Sequence, residues 1–189
     1  MLDCVGQPLR NEALEQGALS LVRRADWRFL LPNPGLGRVA YLAPHDAELV
    51  AALELVSRSV ELLDAPAEPR GCELVVLTAR PPDAAITARR LLRPDGWLYA
   101  EVPGYGVRGW ERELLAIGFD EVAAYWLSPD EHKCREVVPL EPNALRHSLG
   151  RRDPGARLRV RVRLACLLAS SGAFRLAARR AAVIGRWRP

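Results

Sequence analysis

The sequence predicts an α/β fold, a doubly wound and mainly parallel sheet with an N-terminal helix and a basic, partly helical C-terminal region. Three observations carry that prediction. Short apolar runs alternate with amphipathic stretches from Arg38 to Leu127, the pattern of strand–helix–strand units. Glu73-Leu74-Val75-Val76-Leu77-Thr78 has strand length and an unbroken apolar centre, Leu74 to Leu77, which suits a strand covered on both faces. Arg93-Pro94-Asp95-Gly96 then sets a turn between a helical stretch and a further strand.

The elements follow in order. Asn11 to Arg24 places Leu14, Ala18, Leu21 and Val22 at helical spacing. Ala25 to Pro32 is aromatic-rich and reads as extended, and Asn33-Pro34-Gly35 is a turn. Arg38 to Ala43 is a short apolar strand between Gly37 and Pro44. Asp46 to Arg58 sets Ala47, Leu49, Val50, Leu53 and Val56 on one helical face, with Asp46 at the capping position. Ser59 to Leu63 is a second strand, closed by Asp64, and a proline-rich loop from Ala65 to Gly71 leads to the run at Glu73. Helix Asp83–Leu92, strand Trp97–Val102, helix Trp110–Ile117 with Gly118 as its cap, and strand Glu121–Leu127 complete the alternation. Beyond Leu127 the pattern breaks. Ser128 to Arg152 is polar around an apolar island, Val137 to Leu140. Arg157 to Leu168 fits either strand or helix, Phe174 to Arg180 reads as helical, and Ala181 to Gly185 as a last strand. Three parts result: an N-terminal segment over residues 1–37, an α/β core over 38–127, and a basic region over 128–189.

Composition narrows the class. Apolar residues make up 49% and charged residues 26% of 189, which suits a soluble globular protein. No run approaches the roughly 18 apolar residues of a membrane span. Met1-Leu2-Asp3-Cys4 opens with neither a basic nor an apolar stretch, so no signal peptide is expected. Cys4, Cys72, Cys134 and Cys166 never form a C-x-x-C pair, which argues against a disulfide scaffold or zinc ribbon and for a reducing cytoplasm. Lys133 is the one lysine, and the wealth of Arg, Ala, Pro and Gly suits a GC-rich bacterial genome. Residues 151–189 hold eleven arginines against Asp153, while the body before them is acidic. Such a tail could meet nucleic acid, anionic lipid, an acidic partner or its own acidic body, or simply be a solvated face.

Several segments together resemble a class I S-adenosylmethionine-dependent methyltransferase of Rossmann-like fold. Cys72 to Leu77 resembles that family's fourth strand, and Leu91-Leu92-Arg93-Pro94-Asp95-Gly96 its turn into the fifth. Ala116-Ile117-Gly118-Phe119 resembles the helix end before the sixth. The resemblance spans about Arg38 to Leu127. It implies S-adenosylmethionine at the carboxyl ends of the strands, with Ala43 and Pro44 in the cofactor loop, Asp64 accepting from the ribose hydroxyls, and Thr78 at the end of the fourth-strand segment. The departure is the loop itself: Ala43-Pro44-His45-Asp46-Ala47 has no glycine, where the family uses glycine to bring backbone against the ligand. The third strand is also compressed to Ala65–Gly71.

Candidate chemistry is sparse. His45 or Asp46 is the candidate base, because imidazole titrates near neutral pH and both follow the first strand; alternatively the pair is a capping loop. Trp27, Tyr105, Trp110 and Trp126 flank strand ends and could line a substrate pocket, or simply pack the core. Gly104-Tyr105-Gly106-Val107-Arg108-Gly109 matches G-x-G-x-x-G, but position 125, where an acidic residue would be needed, is Tyr and the strand pattern is nearly finished by then, so it reads as a loop beside a cleft. His132-x-Cys134 has no second ligand pair, so no metal is expected, and His147 reads as surface. No nucleophile elbow, P-loop or paired carboxylate motif occurs, and nucleic-acid binding would rest on the arginines alone. Two functions remain. One is methyl transfer from S-adenosylmethionine to an O or N nucleophile of a small molecule, in bacterial specialised metabolism. The other keeps the fold without the cofactor, as a cyclase, another natural-product catalyst or a binding partner. A protein partner or second copy could engage the arginine-rich end.

Overall fold

The computed structural model describes residues 19, 21–64, 71–128, 136–151, 165, 167–168, 173–174 and 178–189. Seven strands form one sheet: β1 Leu36–Leu42, β2 Ser57–Leu63, β3 Cys72–Leu77, β4 Leu92–Val102, β5 Phe119–Ser128, β6 Glu136–Pro139 and β7 Ala181–Trp187. Their order is β2-β1-β3-β4-β7-β5-β6. The β2-β1-β3-β4 pairings are parallel, whereas β7 runs antiparallel to both β4 and β5, and β6 antiparallel to β5. Among the described residues four α-helices accompany them: α1 Ala47–Val56, α2 Ala84–Leu91, α3 Val107–Ala116 and α4 Pro142–Arg151.

The apolar runs decide the layering. In β3, Leu74 and Val76 pack into one core while Val75 and Leu77 pack into the other. All four are buried, as an apolar run without alternation requires. One core takes Leu49 and Leu53 of α1 with Trp27 and Leu31. The opposite core takes Ala88 and Leu91 of α2, Trp110 and Leu114 of α3, and Leu145 and Leu149 of α4. Helices therefore cover both faces. The segments that resemble the methyltransferase family's fourth, fifth and sixth strands are β3, β4 and β5, so the sheet is the Rossmann-like one implied by that resemblance.

Three expectations are corrected. Ala25 to Pro32 is not extended: Arg23–Leu30 is a 3-10 helix, kinked at Ala25. The turn places Arg24 and Trp27, three residues apart, on one buried side, whereas in a strand they would point to opposite faces. The turn at Arg93–Gly96 lies within β4 as a bulge, because the register passes from Cys72↔Leu92 to Leu74↔Trp97. Ser128–Arg152 holds β6 and α4, which bury Val138, Leu145 and Leu149.

The last strand is present, and it is central. β7 comes from the arginine-rich end yet pairs with β4 and β5 along its length. Arg186 pairs with Asp95 and Glu121, and Arg188 with Asp120, so these two cations sit on the chain's own acids. Phe174 begins a helical position, and Ala178 to Arg180 are not helical. The helix expected from Asn11 lies outside the described residues up to position 18, as do Cys4, His132, Cys134, Arg157 to Leu164 and Cys166. Among the described residues no helix is long and apolar enough to cross a membrane.

Candidate functional site

In a doubly wound sheet, ligands enter at the carboxyl ends of the strands where the strand order reverses. Here that point lies between β1 and β3: β1 connects outward to β2, and β3 the other way to β4. The chain leaving β1 is Ala43-Pro44-His45-Asp46, with a cis bond before Pro44; the chain leaving β3 starts at Thr78.

These two ends are tied to each other. The Asp46 backbone N–H donates to Tyr41 Oη at 2.9 Å, Tyr41 Oη donates to Thr78 Oγ1 at 3.1 Å, and Thr78 Oγ1 donates to the Pro44 carbonyl at 2.8 Å. The relay spends the Thr78 hydroxyl and the Pro44 carbonyl on the loop itself. Burial pushes the Tyr41 phenol up from its ordinary 10.0, despite its bond to Thr78.

On the α1 side of the sheet, charges that the sequence reading missed fill the space. Arg24 Nη1 donates to Glu101 Oε1 at 2.5 Å and Nη2 to Oε2 at 2.8 Å, a bidentate pair in which both residues are 3% exposed. Arg24 Nη2 also reaches Asp46 Oδ2 at 3.2 Å, and Tyr99 Oη donates to Glu101 Oε1 at 2.9 Å. Trp27 lies flat on Tyr99, ring centroids 3.6 Å apart. Burial works against the Arg24 cation, but Glu101, bonded to it, outweighs that and raises its pKa. A signal was available: Glu101 interrupts the apolar strand Leu98-Tyr99-Ala100-Glu101-Val102, and a buried carboxylate needs a partner.

The proposed base pair is otherwise employed. Asp46 caps α1, accepting from the Glu48 and Leu49 backbone N–H groups at 2.9 and 3.1 Å. Burial opposes its charge, yet the Leu49 bond and Arg24 together hold its carboxyl below the ordinary 3.8. His45 Nε2 lies 3.0 Å from the Tyr41 carbonyl, and its Nδ1 3.8 Å from Asp64 Oδ1. The four aromatics do not converge. Trp27 belongs to the core on the α1 face, Trp110 and Trp126 to the opposite core, and Tyr105 is 73% exposed. Each face of the sheet takes its own aromatics, which is why strand-end position alone brought them together.

On the α2 face a cleft of about 180 Å³ opens beside the strand ends, lined by Leu42, Ala43, Leu63, Asp64, Pro81 and Thr87 among others. The Asp64 side chain stands on its rim, 93% exposed. A larger depression of about 250 Å³ lies at the opposite, amino end of the strands, beside Glu73, Arg93, Trp97 and Arg186; it is remote from the switch point. Among the described residues no cluster of three or more metal-ligand side chains occurs.

No protein-family model matches the chain, and no curated protein matches it. Solved structures are similar to it at low identity. A SAM-dependent methyltransferase from Thermotoga maritima is 13% identical, with 90% of this chain and 88% of that one covered and a TM-score of 0.40. A Haemonchus contortus phosphoethanolamine N-methyltransferase, solved with S-adenosylhomocysteine, is 13% identical at a TM-score of 0.47; the match covers 92% of this chain but only 52% of that one. A tRNA (m1A58) methyltransferase from Aquifex aeolicus is 11% identical, with 90% and 68% covered and a TM-score of 0.46.

Proposed function

We propose that the chain is a methyltransferase-fold protein that works without S-adenosylmethionine, as a small-molecule binding protein whose ligand approaches the carboxyl ends of the strands. The observation that supports this reading is the relay from Tyr41 through Thr78 to Pro44. It draws the β1 and β3 ends together at the point where a cofactor's amino-acid end would lie against backbone. The loop adds to the effect, since every residue from Ala43 to Ala47 carries a side chain and Pro44 lacks an N–H. Arg24, Glu101 and Tyr99 occupy the space on the α1 side. The cleft beside these ends measures about 180 Å³, room for a ligand smaller than those that fill pockets of roughly 300 Å³ and more. Together these features argue against S-adenosylmethionine lying here as it does in the family.

A second reading, methyl transfer from S-adenosylmethionine to a small-molecule O or N nucleophile, is favoured by one feature. Asp64 follows β2 with its carboxylate on the rim of an apolar cleft, which suits a ribose acceptor. Calorimetric titration separates the two. The first reading expects weak binding of S-adenosylmethionine or none, no tighter than about 100 μM. Saturable micromolar binding would establish the second instead.

A further inference from the structure

The depression of about 250 Å³ at the amino end of the strands is shaped by local irregularities of the sheet. Where β3 has Glu73 alone between two paired residues, β4 has Arg93, Pro94, Asp95 and Gly96. Such a bulge re-aims side chains out of the ladder, and Asp95 within it takes a left-handed φ of 63°. Backbone of that kind is uncommon outside glycine and gathers at binding sites. On the facing strand, Gly37 makes room for the Glu73 carboxylate: a Cβ there would fall 2.1 Å from Glu73 Cδ.

The charges that line the depression are unequally matched. Arg186 Nη2 lies 3.0 Å from Asp95 Oδ1 and Arg186 Nη1 2.9 Å from Glu121 Oε1. Arg93 Nη1 stands 3.5 Å from Glu73 Oε1, beyond a good hydrogen bond, with the two side chains 53% and 33% exposed. One cation and one anion are thus loosely paired at the cavity, beside Leu36, Leu74 and the indole of Trp97. A phosphate would bring like charge against Glu73 and Asp95, and a bare cation would leave Arg93 without a partner. The complement is a zwitterion with an apolar body.

We propose that this depression binds an α-amino acid with a large apolar side chain. Glu73 accepts from its ammonium group, Arg93 donates to its carboxylate, and its side chain lies against Leu36, Leu74 and Trp97. The site is at the opposite end of the sheet from the crevice between β1 and β3, and it stands whichever ligand that crevice takes.

The test titrates the parent protein calorimetrically with L-phenylalanine and L-leucine. Saturable binding of at least one is expected, at about 1 mM or tighter. The half-ligands 2-phenylethylamine and 3-phenylpropionate, each lacking one charge, are expected to bind at least about tenfold more weakly. Glu73→Gln and Arg93→Met, both at partly exposed positions, are expected to weaken amino-acid binding by about tenfold or more. Gly37→Ala keeps both charges but displaces the Glu73 carboxylate, and should weaken binding likewise. Melting curves establish that each variant is folded, and the half-ligand comparison on the parent decides even where one is not. No saturable binding of either amino acid, half-ligands that bind as well, or unchanged affinity in any folded variant would overturn the proposal.

Discussion

Arg24 and Glu101, 77 residues apart in sequence, meet in a buried fork of 2.5 and 2.8 Å that pins the N-terminal segment to the end of β4. Two ions taken out of water offset each other only as a pair. Removing one leaves the other stranded. Glu101→Gln or Arg24→Met is therefore expected to lower unfolding free energy by about 3–5 kcal/mol in urea titrations. Arg24→Met with Glu101→Leu should cost less than either single change, because no charge is then left buried. A double variant as unstable as the sum of the singles would show that the pair is not coupled.

Acid should loosen the same region through Asp46. Its folded pKa is depressed below 3.8 by the α1 backbone and Arg24. A depressed carboxylate contributes stability that is present above its unfolded pKa and lost as pH falls through the folded one. Stability measured by denaturant is thus expected to decline below about pH 4, and less steeply in Asp46→Asn, which keeps a capping oxygen but no titrating charge. Tyr41 gives the opposite limb. Its raised folded value means that stability is full below pH 10.0 and falls as pH rises through the folded pKa. Tyr41→Phe should flatten that alkaline decline.

Thr78→Val keeps shape while deleting both bonds of the hydroxyl. The Pro44 carbonyl would lose its donor and Tyr41 Oη its acceptor. The expected cost is about 0.5–1.5 kcal/mol, because the Pro44 end of the relay is exposed to water. Hydrogen exchange should rise at the Asp46 amide, whose acceptor Tyr41 Oη would then be less firmly placed. An unchanged exchange rate there would mean that the loop is held by its own stiffness, not by the relay.

The periodicity between Arg38 and Leu127 was most legible where a strand is apolar and buried on both faces, as Leu74 to Leu77 show. β7 was half legible: Ala181 to Gly185 reads as a strand, but nothing local says that it inserts antiparallel between β4 and β5. Arg24 and Tyr99 were not legible as site residues, since a charge at a helix end and a tyrosine in a strand are ordinary until Glu101 joins them across 77 positions. Asp46 illustrates the converse. Local sequence marked it as a cap, which it is, and its second partner came only with the tertiary fold.

Asp64 provides the test that bears most directly on the cofactor crevice. Its side chain is 93% exposed, and the His45 ring nitrogen Nδ1 lies 3.8 Å from its Oδ1. Substitutions at such positions usually change stability by no more than about 0.5 kcal/mol, so Asp64→Ala should fold and melt like the parent. If Asp64 accepts from a ribose, removing it leaves hydroxyls unpaired, at a cost of about 1–3 kcal/mol, or roughly five- to 150-fold in affinity. If the β1 and β3 ends are closed as the Tyr41–Thr78–Pro44 relay suggests, the parent itself binds no tighter than about 100 μM, near −5.5 kcal/mol. The variant is then indistinguishable from it. Titrating both proteins with S-adenosylmethionine decides between these outcomes. Parallel weak or absent heats support closure of the crevice; micromolar binding by the parent that weakens tenfold or more in Asp64→Ala would return the chain to the methyltransferases in activity as well as fold.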